Sequence, residues 1–134
     1  MKRSQINQAI KQLEQMARQH QFALPPFCHW APEEWNDKNA SYDEIRDNML
    51  GWDVTDYNEG AFDKVGLSLI TIRNGSQKDA RYKKTYAEKL ILSGEGQVCP
   101  MHFHWNKMED IINRGGGVLA MQLYNSTPEG ELDE

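Results

Sequence analysis

The chain has 134 residues, with 15 Lys+Arg against 20 Asp+Glu, a formal net charge of −5, 39% hydrophobic and 26% charged residues. That suffices for one domain with one core and excludes disorder or a fibrous repeat, and its longest apolar runs, such as Val118 to Met121, are too short to cross a bilayer. Four of the acids (Glu129, Glu131, Asp133, Glu134) lie in the last six residues, so the remainder carries 16 acids against 15 bases, with one short basic cluster at Arg81, Lys83 and Lys84, and lacks the electrostatic footprint of a nucleic-acid binder.

From Ser4, placed to cap a helix, apolar residues fall at Ile6, Ala9, Ile10, Leu13, Met16 and Ala17, the spacing of one buried stripe. Mixed polarity over Ile6 to Ala17 rules out a signal peptide, and Cys28 and Cys99 have no framework spacing. A cytoplasmic protein with neither membrane nor nucleic-acid partner is therefore expected. The prolines of Leu24-Pro25-Pro26-Phe27 require extended backbone. Short helices are expected from Pro32 and from Ser41, where Glu44 completes a capping box, with helical signals ending near Met49.

Beyond Gly51, β-branched and apolar runs alternate with Asn, Asp, Gly and Ser, predicting strands at Trp52 to Tyr57, Val65 to Arg73, Tyr82 to Leu92, Val98 to Trp105 and Val118 to Asn125. Asn74-Gly75 reads as a tight hairpin, Gly115-Gly116-Gly117 as a turn, and Ser126 onward as a frayed, charged end. The expected organisation is a helical segment over 1–50, a β portion over 51–125 and an acidic end over 126–134.

Within the fourth predicted strand, His102 and His104 stand two apart and so share a face. Glu109 follows five residues later, within reach of the same point, giving an N, N, O ligand set for a divalent first-row metal with open coordination positions. The plainer reading is a decorated surface strand. Lys89 and Lys107 are the available cations or proton donors, against a reading as solvated side chains whose stems cover apolar surface. Gly115-x-Gly117-x-x-Ala120 matches a dinucleotide fingerprint in letters only, because a β-like run follows it. His20 belongs to the end of the first helix and His29 to a packed loop. Trp30, Trp35 and Trp52 read as core or contact residues, while Trp105, flanking the ligands, could also face substrate.

The stretch Gly96-x5-His102-x-His104-x4-Glu109-x6-Gly116 resembles the first motif of the cupin superfamily. Together with Leu24-Pro25-Pro26-Phe27, Gly51-Trp52-Asp53-Val54-Thr55, Leu69 to Gly75, Tyr86-Ala87-Glu88-Lys89, Pro100 to Trp105 and Glu109 to Gly117, the chain resembles the D-lyxose isomerases. That resemblance implies a mainly β fold, an incomplete cupin-type β-barrel or jelly roll preceded by α-helices. It implies metal-dependent interconversion of D-lyxose with D-xylulose, and in many members of D-mannose with D-fructose, through an enediolate. His102, His104 and Glu109 would be metal ligands, with Lys89 and Lys107 as catalytic residues, Mn2+ as cofactor and a homodimer as the assembly. The same ligand types accept Zn2+, Fe2+ or Co2+. The alternatives are a non-catalytic sugar-binding cupin, an inactive fragment or an iron-dependent dioxygenase. Cupins take a further histidine ligand from downstream, and none follows His104, so that ligand and the carbon base are expected beyond Glu134.

Overall fold

The computed structural model describes residues 1–133 in two units, Met1–Cys99 and Pro100–Glu134; the expectation for the acidic end extends to Glu134, which lies outside the described residues. In the first unit the predicted stripe becomes helix α1, Arg3–Gln19, whose Ala9, Leu13 and Ala17 are buried. The helix begins before Ser4: the cap position is Lys2, whose backbone N–H donates to the Gln5 side chain at 2.8 Å. Pro25 is extended, as a residue before proline must be, and the chain then turns through single 3-10 stretches at Pro26–His29, Pro32–Asp37 and Ala40–Tyr42. The last of these is capped by Asn39, whose side chain accepts from the Ser41 N–H at 2.9 Å, so Ser41 is not the cap. A short helix α2 follows at Asp43–Asp47.

Three strands, β1 (Gly51–Thr55), β2 (Leu67–Arg73) and β3 (Glu88–Leu92), form an antiparallel sheet in the order β1-β2-β3. Strand β1 stops at Thr55, and just beyond it Tyr57 and Asn58 take positive φ, a conformation in which residues other than glycine do not continue a strand. The register pairs Trp52 with Ile70 and Ile70 with Leu90, and alternation puts these side chains on one face. There Leu13, Ala17, Cys28, Ile70 and Leu90 close the core, with Met16, Phe22, Leu24, Phe27 and Trp52 packed around them. Trp52 also donates its indole N–H to the Cys28 carbonyl at 2.9 Å, tying β1 to the turn after the prolines.

The expected Asn74-Gly75 hairpin does not form. Residues 74–87 make a long connection laid along α2, whose acids capture the basic cluster: Arg81 reaches Asp47 at 2.9 Å and Lys84 reaches Glu44 at 2.7 Å, while the Tyr82 hydroxyl donates to Asp47 at 2.6 Å. Strand β3 starts at Glu88 and not at Tyr82, and the residues expected to begin it face the α2 carboxylates instead. The Asn74 amide donates instead to the Asn48 carbonyl at 3.0 Å.

In the second unit, two further predicted strands are absent. Val98, the last of the first unit's apolar residues, makes a single bridge to Val65, and residues 99–124 find no ladder partner among those described. A strand needs a neighbour for its backbone groups, and without one an alternating pattern stays irregular. Val118 and Met108 are accordingly 99% exposed. Among the described residues the β portion is an open three-stranded antiparallel sheet and a two-stranded hairpin, a partial β fold compatible with the expected incomplete barrel. That hairpin, β4 (Asn125–Ser126) with β5 (Leu132–Asp133), overturns the expectation of a frayed end. Thr127-Pro128-Glu129-Gly130 makes its turn, with the Gly130 N–H donating to the Thr127 carbonyl at 3.0 Å; proline second and a positive-φ glycine last suit this turn.

Candidate metal centre

No ladder includes the chain from Pro100 to Trp105, yet its side chains pair two apart. The His102 and His104 rings meet edge to face with centroids 4.9 Å apart, and those of Phe103 and Trp105 do the same at 4.7 Å. Residues two apart thus share a side, as strand geometry requires. Glu109 turns back to the imidazole pair, with its Oε1 3.4 Å from Nε2 of His104. One ligand atom from each of His102, His104 and Glu109 lies within 4.8 Å of the others.

The donor set fits a divalent ion. Metal–ligand bonds near 2.1 Å place neighbouring ligand atoms roughly 3 to 3.5 Å apart, the separation already present between His104 and Glu109. Nδ1 of His102 lies 2.8 Å from the Pro100 carbonyl; a carbonyl only accepts, so Nδ1 donates to it, and Nε2 is the atom through which this ring would meet a metal. The Lys107 ammonium, 2.5 Å from Glu109 Oε1, holds that carboxyl below the usual carboxylate range against partial desolvation, with His104 and His102 acting in the same direction. Glu109 is therefore an anionic oxygen ligand at neutral pH. All three groups are exposed, so an arriving ion need not be stripped of all its water.

Of the candidate residues, the structure brings together His102, His104, Glu109 and Lys107. Lys89 belongs to the first unit: it is exposed on β3, opposite Thr71 and on the face turned away from α1. Glu88, its neighbour, lies 3.7 Å from Arg73. His29 is paired with Glu14 at 3.0 Å, and His20 stands at the end of α1. Gly115 and Gly116 take positive φ in a turn fixed by Asn113, whose Oδ1 accepts from the Gly115 N–H at 2.9 Å. That turn is the plain reading of the glycine triplet.

Two features escaped the sequence reading. One is the Pro100 carbonyl as partner of His102, a backbone atom that no side-chain motif reveals. The other is a cavity of about 350 Å3 beside His102, lined among others by Met101, Phe103, Tyr124, Asn125 and Leu132. The turn signal in Thr127-Pro128-Glu129-Gly130 could have disclosed the hairpin that forms its wall.

A family model described as D-lyxose isomerase matches residues 1–134. A protein named D-lyxose/D-mannose isomerase from Escherichia coli O157:H7 is 48% identical over 127 residues, covering 94% of this chain and 56% of that protein. One of the same name from Serratia proteamaculans is 44% identical over 135 residues, covering 100% of this chain and 59% of its own length. The chain therefore spans less than two thirds of the length of these relatives.

Proposed function

The chain belongs to the D-lyxose isomerase family, and on that premise we propose that it carries the metal-binding part of an aldose–ketose isomerase acting on D-lyxose and D-mannose. The observation that carries this reading is the convergence of His102, His104 and Glu109 within 4.8 Å. A divalent ion bound there, with Mn2+ as our assignment, would polarise the sugar's carbonyl and hydroxyl oxygens and offset the negative charge that develops when a proton leaves carbon.

Converting D-lyxose to D-xylulose moves one hydrogen from C2 to C1 and one from the C2 oxygen to the C1 oxygen. The second transfer needs a donor or cation close to both oxygens. We assign that role to Lys107, which lies beside Glu109, and assign Lys89, exposed on β3, as a substrate-site residue. The cavity beside His102 lies at the small end of the size range of ligand sites, and Asn125 and Tyr124 in its wall supply groups that hydrogen-bond a polyol. The antiparallel sheet is read as part of a cupin-type barrel, and a cytoplasmic homodimer as the assembly.

The test is direct: purified protein with Mn2+ and D-lyxose, followed by carbon NMR of the sugar. Appearance of D-xylulose supports the isomerase. Saturable binding of D-lyxose without conversion would replace it with a sugar-binding role, and iron-dependent oxygen uptake with a dioxygenase.

A further inference from the structure

Behind the imidazole pair stands a second pair of rings, and behind those a glycine. Gly130, at the tip of the β4–β5 hairpin, has φ +87°, a conformation that side chains other than glycine's rarely adopt. A methyl group on its Cα would stand 2.6 Å from Cη2 and 3.0 Å from Cζ2 of Trp105, and 2.9 Å from Cζ of Phe103. The ring edges of Phe103 and Trp105 therefore rest on the bare backbone of the hairpin tip.

We infer that this hairpin tip is a positioning element for the metal ligands, with Gly130 acting through Phe103 and Trp105 on His102 and His104. The four side chains alternate along one short extended segment, imidazoles on one side and aromatic rings on the other. That segment has no strand ladder among the described residues, so its direction is not fixed by a sheet. The hydrogen bond of His102 to Pro100 spans only two residues and fixes one ring's tautomer. The contact of the aromatic pair with Gly130 comes from 25 or more residues along the chain, read from positions 105 and 130. Pushing on that pair rotates the backbone from which both imidazoles hang. Outer groups that orient metal-binding histidines typically change affinity by about 10- to 100-fold, and a group one step further out acts by the same means.

The inference rests on the metal reading proposed above, and the experiment separates the two. Co2+ is titrated into the wild-type chain, Gly130→Ala, Trp105→Phe and the double variant, reading affinity and the visible absorption of bound Co2+, with far-UV circular dichroism on each. Wild type is expected to bind with a defined visible spectrum. Gly130→Ala should bind roughly 10-fold more weakly with an altered spectrum, and Trp105→Phe, which removes the nearer indole edge while the Phe103 contact at 2.9 Å stays, should restore part of both in the double variant. Positive-φ strain from alanine stays in the double variant, so strain or misfolding alone gives no restoration. Wild type that binds no Co2+ overturns the metal reading and this inference with it. Wild-type binding with the same affinity and spectrum in Gly130→Ala, or a loss that Trp105→Phe leaves in place, overturns the positioning role alone.

Discussion

Replacing Lys107 by methionine should tighten metal binding while abolishing the lysine's chemical contribution. The ammonium lies 2.5 Å from the Glu109 oxygen that also faces His104, so an ion approaching that oxygen meets a positive charge already in place. Two effects favour the variant. Metal entry no longer has to weaken an ion pair, which for side chains 45% and 41% exposed is worth about 0.2–1 kcal/mol. It also no longer faces a like charge: a divalent ion and an ammonium about 5 Å apart repel by roughly 1.7 kcal/mol in a water-like dielectric, and by less once salt screens them. Their sum after screening is about 1–2 kcal/mol, or roughly 5- to 30-fold in Kd. Calorimetric titration of Mn2+ into wild type and Lys107→Met at low ionic strength measures this difference directly. The gap should narrow in 0.5 M salt, and turnover of D-lyxose at saturating Mn2+ should fall in the variant. Equal or weaker Mn2+ affinity in Lys107→Met refutes the reasoning, because Glu109 would then not be the oxygen on which the two cations compete.

Removing a ligand should act oppositely: His102→Ala and Glu109→Ala each lower bound metal at least about 10-fold, read by elemental analysis after dialysis, and undiminished content in both would defeat the ligand assignment. Leu13→Ala empties a fully buried position between α1 and the sheet and should cost about 2–4 kcal/mol in denaturant unfolding; a cost under about 1 kcal/mol would mean that the helix does not close this core. The Cys28 thiol is pushed up to about 12, chiefly by burial, while Cys99 is exposed. A disulfide-exchange reagent at pH 8 should therefore label Cys99 first and Cys28 only on unfolding. Because the folded-state value of Cys28 lies above the ordinary 9.0, its stabilising contribution is full below pH 9 and is lost as pH rises toward 12. The alkaline fall in stability should thus be shallower in Cys28→Ala, and an equal fall would assign it to other groups.

Much of this molecule is legible locally. The six apolar positions from Ile6 to Ala17 fix both the existence of α1 and its buried face, and the β-branched run at Leu67–Arg73 becomes the central strand. The pairing of His102 with His104 follows from residues two apart sharing a side, an inference that survives even where no strand ladder forms. Spacing also placed Glu109 within reach of them, because four intervening residues allow one reversal of the chain. Local order failed where a partner was needed. Val98 to Trp105 and Val118 to Asn125 have strand patterns, yet extended backbone becomes a strand only against a neighbour, and within the described residues neither finds one along its length.

The sequence by itself determined which side chains share a side, because helix and strand periods are properties of the backbone. Tertiary structure alone decided what each side meets: the 74–87 connection came to lie against α2's acids, and Gly130 came to rest under Phe103 and Trp105. Those outcomes depend on which distant groups come within a few ångströms of one another in the folded chain, and no periodicity encodes a distance between residues far apart in the chain.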